Sequence, residues 1–256
     1  MNSPTPSTDA RRPLHELAAA GRLPDHQVMD RPTLAWIADQ RPVRPGARPR
    51  LPYPAAVLVP DRSWFARMET TTSIHGVLHG ARVTVLVQLL AVGHHLAPGR
   101  VLALAAAAAC HDCRRLNDRT DPGHGRRAAN WLTQHPASLH TAFGHTPSAE
   151  AITAVALHDV PPHAFTPEQQ AAYRRHRLAV DLLKAADALD RYRLPATRWW
   201  PALHQLRLQV PAWAPVLAHE LVVLTEQARL DGATDTHAVH LALRALSTEK
   251  ETPRAI

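Results

Sequence analysis

His111 and Asp112 stand side by side at the end of the apolar run Leu102 to Ala109. Neighbouring residues of a helix do not face each other. An adjacent imidazole and carboxylate therefore serve one centre only if that centre lies beyond the helix end, and a metal ion is the chemistry that uses both. Such an ion needs further nitrogen and oxygen ligands from elsewhere in the chain. His75, His79 and Arg82 follow one another at spacings of four and three, which predicts one face of a helix. His124 sits between Gly123 and Gly125, His158 closes an apolar segment and precedes Asp159, and Asp187 lies among Leu182, Leu183, Ala186 and Leu189. A carboxylate in apolar surroundings is costly unless a cation or a metal accompanies it. Taken singly these residues are ordinary. Eighteen histidines guarantee coincidental spacings, and His135, His140, His145, His163 and His176 have no evident role. Cys110 and Cys113 form the only Cys-x-x-Cys pair. A closed zinc site takes four ligands and a redox motif a β-α context, so the two thiols read as small packing residues.

The elements that must position these groups read as helices, and the fold class expected is all-α. Ala and Leu are abundant, only 5% of residues are aromatic, and alternating β-branched runs are absent. Ser73 to His95 reads as one amphipathic helix and Arg100 to Cys113 as a buried central one, followed by a polar loop over 116–125. Helices are expected from Arg126 to about His135, from Ser148 through His158, and from a Thr166-Pro167-Glu168-Gln169 capping box through Asp187 to Tyr192. Pro215 to Leu230 and Thr236 to Leu246 complete the set, packed by Trp199, Trp200 and Trp213. Upstream, residues 1 to about 13 are too polar and Pro-rich to fold alone. Leu14 to Ala20 and Pro32 to Asp39 can make short helices, and the prolines of Arg41 to Pro60 predict an extended strap. The expected organisation is a Pro/Arg-rich N-terminal extension over 1–60, a metal-binding core over 61–195, and C-terminal helices over 196–256 packed on that core. The formal charge of +7 suits an anionic substrate or nucleic acid. Because Arg is spread along the whole chain, nucleic acid is not the favoured partner. No stretch reads as a membrane span or a signal-peptide core, so a soluble, cytoplasmic protein is expected.

Together the residues follow an order: His, then His-Asp at a helix end, then His, His and Asp. Over about Ser73 to Arg193 this resembles the HD superfamily of metal-dependent phosphohydrolases, compact all-α multi-helix bundles. The segments that carry the resemblance are Ile74-His-Gly-Val-Leu-His-Gly-Ala-Arg-Val83, His111-Asp-Cys-Arg-Arg115 with Asn117-Asp118, Asp121-Pro-Gly-His-Gly-Arg-Arg-Ala-Ala129, His158, and Ala186-Asp-Ala-Leu-Asp190. The resemblance implies a minimal metal site of His79, His111, Asp112 and Asp187. His124 and His158 stand where two-metal members have extra imidazoles, which implies a pair of ions bridged by Asp112. Imidazole with carboxylate suits Mn, Fe, Co, Ni or Zn without selecting among them. Asp112 and His75 are the residues expected to take part in the reaction. Activated hydroxide would attack a phosphate ester or anhydride of a nucleotide or other small phosphorylated compound. Arg82, Arg114, Arg115, Arg126, Lys184 and Arg191 are the candidate substrate-binding cations, with salt bridging to nearby aspartates as their competing role. Two positions depart from the pattern: Ala188 stands where an arginine is expected, and Gly80 where an aromatic residue is common. Two further functions compete. The same ligand order occurs in HD-fold oxygenases with a mixed-valent diiron pair, and a basic helical module could bind nucleic acid without catalysis.

Overall fold

Val77–Gly93 carries apolar residues on every side, and each residue from Val77 to Ala91 is buried, His79, Arg82, Thr84 and Gln88 among them. A helix of that kind belongs in the middle of a protein. Leu86, Leu89 and Leu90 are wholly or almost wholly out of solvent, contributing roughly 2 kcal/mol each. Packing rather than propensity holds this helix, since Val83, Val85 and Val87 are poor helix formers. It corrects the expected amphipathic helix from Ser73. The helix begins four residues later, after an extended Gly76 whose added β-carbon would lie 2.4 Å from the Thr71 carbonyl oxygen.

The computed structural model describes residues 12–42 and 50–247, and no strand occurs among them. The fold is all-α. In chain order the helices are α1 (Leu14–Ala19), α2 (Arg31–Asp39), α3 (Val77–Gly93), α4 (Pro98–Ala108), α5 (His124–Gln134), α6 (Pro136–Phe143), α7 (Ala149–Leu157), α8 (Pro167–Asp190), α9 (Ala214–Leu230) and α10 (Asp235–Ser247). α4, α8, α9 and α10 pack around α3, while α7 lies against α5, α4 and α8. The centre of the bundle is therefore α3, not the Ala-rich α4, whose Leu102 and Ala103 are only half-buried. α4 also ends at Ala108 rather than Cys113, leaving Cys110 to Cys113 in tight turns. Both thiols are free and buried among the apolar side chains.

Local chemistry sets the helix ends. The Ser148 hydroxyl accepts from the Ala151 amide, and Thr166 with Gln169 forms a reciprocal capping box before Pro167. α8 bends at His176, where φ is −122° and ψ 27°. One apolar core runs from Leu58 to Leu246, so the C-terminal helices share it with the segments that carry the histidines.

The two short helices expected in the N-terminal region are present. α1 and α2 are folded, and Leu14, Met29, Leu34 and Ile37 join Ile74 in a second apolar cluster beside α9. Residues 50–60 do run without regular structure. The Gln88 side chain of α3 holds them by accepting from the Ala56 amide (2.8 Å) and donating to the Ala56 carbonyl (2.9 Å). The expectations for residues 1–11 and 43–49 lie outside the described residues. No helix among those described is long and apolar enough to cross a membrane.

Candidate metal centre

Four histidines converge from four elements. His79 comes from α3, His111 from the turn after α4, His124 from the first residue of α5, and His158 from the end of α7. Each ring is fixed from behind. His111, His124 and His158 have Nδ1 at 2.7 Å from the carbonyl oxygens of Ala108, Asp121 and Val155. A carbonyl only accepts, so these Nδ1 atoms carry a proton, which leaves Nε2 as the nitrogen free to meet a metal. His79 Nδ1 donates to Asp190 Oδ2 at 2.8 Å, so its Nε2 too is the nitrogen turned towards the centre.

The Nε2 atoms meet in two pairs. His79 and His111 are 3.0 Å apart, and so are His124 and His158. Two lone pairs at that distance repel unless a proton or a cation stands between them. At metal–nitrogen bonds of about 2.1 Å, a right-angled pair of imidazole ligands has its nitrogens about 3.0 Å apart and a tetrahedral pair about 3.4 Å. The observed spacing is that of neighbouring ligands around one ion.

Asp112 lies between the pairs. Its Oδ2 is 3.4 Å from His79 Nε2, and its Oδ1 is 2.9 Å and 3.4 Å from the Nε2 atoms of His124 and His158. Asp187, at the end of α8, reaches the first pair with Oδ1 at 3.4 Å from His79 and 3.7 Å from His111. The groups could hold a metal as His79–His111–Asp187, as His111–Asp112–His158 and as His75–His79–Asp112. His75 belongs to the turn before α3 rather than to its face. Its Nδ1 lies 2.8 Å from Asp112 Oδ2 and 3.0 Å from Arg193 Nη2. A single Nδ1 cannot accept from Arg193 and donate to Asp112 at once, so a cation would relieve this contact too.

Electrostatics point the same way. Burial opposes ionisation of Asp112, yet His111, Arg115 and His124 hold its carboxyl well below the usual range. Asp187 is likewise depressed, its burial outweighed by His111 and His79. Burial and Arg193 push the His79 pKa down, but Asp112, Asp187 and Asp190 raise it to about 9. In the ion-free protein a proton therefore sits where a metal would bind, and metal binding must displace it.

Behind the first pair stands a buried ionic chain. Arg82 grips Asp190 through Nε (2.7 Å) and Nη2 (3.1 Å), and Glu226 through Nη1 (2.9 Å). Arg82, Asp190 and Glu226 are all inaccessible or nearly so. This corrects the expectation that Arg82 binds substrate: it orients Asp190, and Asp190 orients His79. Sequence reasoning placed Asp190 only in the Ala186-Asp-Ala-Leu-Asp190 segment, among the aspartates that could pair with nearby cations, and missed Glu226 and Arg193.

The other expected cations divide. Arg115 and Arg191 line a cavity of about 670 Å³ that opens over Asp112, Asp187, His75, His124 and Asp159. Arg114, Arg126 and Lys184 do not line it. Arg114 donates to the Trp64 carbonyl, and Arg126 is exposed on α5. Lys184 closes the end of α7 by donating to the carbonyls of His158 and Val160, both at 2.8 Å. The far wall was not foreseen. Ala18, Gly21, Leu23 and Gln27 come from the N-terminal region, held where Gln27 N donates to Asp118 Oδ2 (2.7 Å) and Ile74 N to the Gln27 carbonyl (2.8 Å).

Glycines allow the close approaches. A β-carbon on Gly80 would lie 2.7 Å from the Ala109 carbonyl oxygen, so α3 rests directly on the turn that carries His111. An aromatic residue has no room there. A β-carbon on Gly125 would meet Val155 O at 2.6 Å, with Asp159 Oδ1 and His158 Nδ1 at 2.7 Å. No family model, curated protein or solved structure matches the chain.

Proposed function

We propose that this chain is a metal-dependent phosphohydrolase of the HD type, acting on a small phosphorylated compound such as a nucleotide. The observation that carries the reading is the pairing of His79 with His111 and of His124 with His158 on either side of Asp112, every Nδ1 engaged and every Nε2 turned inward. Two divalent ions held there supply Lewis acidity and lower the pKa of water. His79, His111 and Asp187 would hold one, His124 and His158 the other, with Asp112 shared.

The remaining residues bind and orient. Arg115 Nη1 lies 3.9 Å from Asp112 and lines the cavity, where a guanidinium can face phosphoryl oxygens. The arginine that the HD pattern leads one to expect at position 188 is absent, and Arg191, three residues on, brings a cation to the same cavity. A volume of about 670 Å³ suits a metabolite-sized ligand.

The test is a metal-by-substrate screen on the full chain purified without air. Stoichiometric Mn, Fe, Co, Ni or Zn, with phosphate release that is lost in Asp112→Ala, is the expected result. Substrate loss that requires oxygen together with a diiron spectroscopic signature would refute hydrolysis. Salt-dependent nucleic-acid binding unchanged by His111→Ala and Asp112→Ala, with no metal retained, would refute the enzymatic reading altogether.

A further inference from the structure

The cavity has an acidic floor and a basic rim, and its arginines are of two kinds. Arg115 and Arg193 are buried and held by main-chain carbonyls, although Arg193 Nη1 makes no hydrogen bond of its own. Arg115 donates to the carbonyls of Asn117 (3.2 Å) and Arg119 (2.7 Å), and Arg193 to that of Ile74 (2.6 Å), with Arg193 Nη1 3.5 Å from Asp190. Arg119 at the mouth is neutralised by Asp25 at 2.9 Å. Arg191 and Arg198 differ. Both are exposed and both line the cavity. Among the described residues the Arg191 guanidinium has no hydrogen bond or ion pair. Arg198 has one bond, from Nη2 to the Ala18 carbonyl at 3.3 Å, and lies over the Trp199 ring at 4.5 Å. Neither has a carboxylate partner. Leu194 and Trp199 line the same wall as these two cations.

A single phosphate on the ions leaves that charge unused. A guanidinium in a concave site partly shielded from water binds an anionic group far better than a neutral one. We propose that the natural ligand carries two anionic groups: the phosphate over Asp112 and Asp187, and a second anion gripped by Arg191 and Arg198, joined by a spacer that crosses Leu194 and Trp199. This rests on the phosphohydrolase reading for the position of the first anion and adds the second. The ligand class is thus a doubly headed acid with an apolar or flat middle, rather than a simple phosphate monoester.

The test uses two probe series on the Mn-loaded full chain, followed by calorimetry. One is alkylphosphonates ending in a sulfonate, which coordinates metals poorly, and the other is alkylphosphonates of equal length ending in a hydroxyl. At one chain length or more the sulfonate member is expected to bind about tenfold tighter. In Arg191→Gln/Arg198→Gln the ratio between the two series should fall towards one while metal content stays at the wild-type value. A ratio near one at every length in the wild type, or a ratio that survives the double substitution, overturns the two-anion proposal. The wild-type comparison decides even if the double variant fails to fold. Hydroxyl-ended probes that bind equally well with and without metal would instead sink the phosphohydrolase reading. If neither series binds, both fall.

Discussion

Asp190→Asn removes one charge from the chain of groups behind His79, and its cost can be worked from the structure. Asp190 is wholly buried, takes two hydrogen bonds from Arg82, and accepts from His79 Nδ1. Asparagine keeps the volume but leaves Arg82 facing Glu226 alone. Breaking a buried pair by removing one partner costs about 3–5 kcal/mol. In a chain of this size each kcal/mol is worth about 2–4 °C, so Tm should fall by about 6–20 °C. The amide is also a weaker acceptor for His79 Nδ1, and loss of such a support lowers metal affinity about 10- to 100-fold. Thermal melts with and without chelator, together with Mn titrations, read the two effects separately. Arg82→Met is the companion variant: it should lose comparable stability while leaving the Asp190–His79 contact in place, so its metal affinity should fall less. A Tm within about 1 °C of wild type for Asp190→Asn, or equal loss of metal affinity in both variants, would refute the assigned roles.

Four further outcomes follow from the same geometry. Gly125→Ala drives a β-carbon against Val155 O, Asp159 and His158. It should cost about 1–3 kcal/mol by overpacking and leave the His124–His158 position short of metal, measured as bound ions per chain. Chelation should lower Tm, and added metal at about 100 times its Kd should restore about 2.7 kcal/mol. The pH dependence should change sign with metal. In the ion-free protein the raised His79 pKa contributes stability that is complete below about 6.5 and lost as pH rises through about 9, whereas metal affinity should climb over that window as the proton leaves; melts across the window, with and without Mn, check this. Cys110 and Cys113, both buried and free, should resist a thiol reagent in the native state and react only on unfolding.

The clustered imidazoles and carboxylates were legible because side chains able to bind ions are few in kind and their setting shows locally. His111-Asp112 closes an alanine-rich helix, His158 ends another, and Asp187 sits on an apolar face. The capping signals at Ser148 and Thr166 were legible for the same reason, since they act within three residues. What was not legible depends on distance in the chain. Arg82 and Glu226 are separated by 144 residues and meet only because α3 packs on α9. The periodicity from Ser73 to His95 resembles an amphipathic face only if its valines are ignored; the surrounding helices make it the central one. The N-terminal wall of the cavity depends on Gln27 reaching Asp118, 91 residues away, and no local pattern announces that pairing.

The glycine contacts of α3 bear on which ions the protein can accept. Gly76 lies against the Thr71 carbonyl and Gly80 against that of Ala109, two residues before His111. Main chain resting on main chain, with no β-carbon between, lets His79 and His111 come as close as their 3.0 Å separation. Such a seat acts as a gauge of ionic radius. On the proposed reading it would suit first-row transition ions, whereas calcium, with bonds of about 2.3–2.6 Å and a demand for six to eight oxygens, would be too large for it.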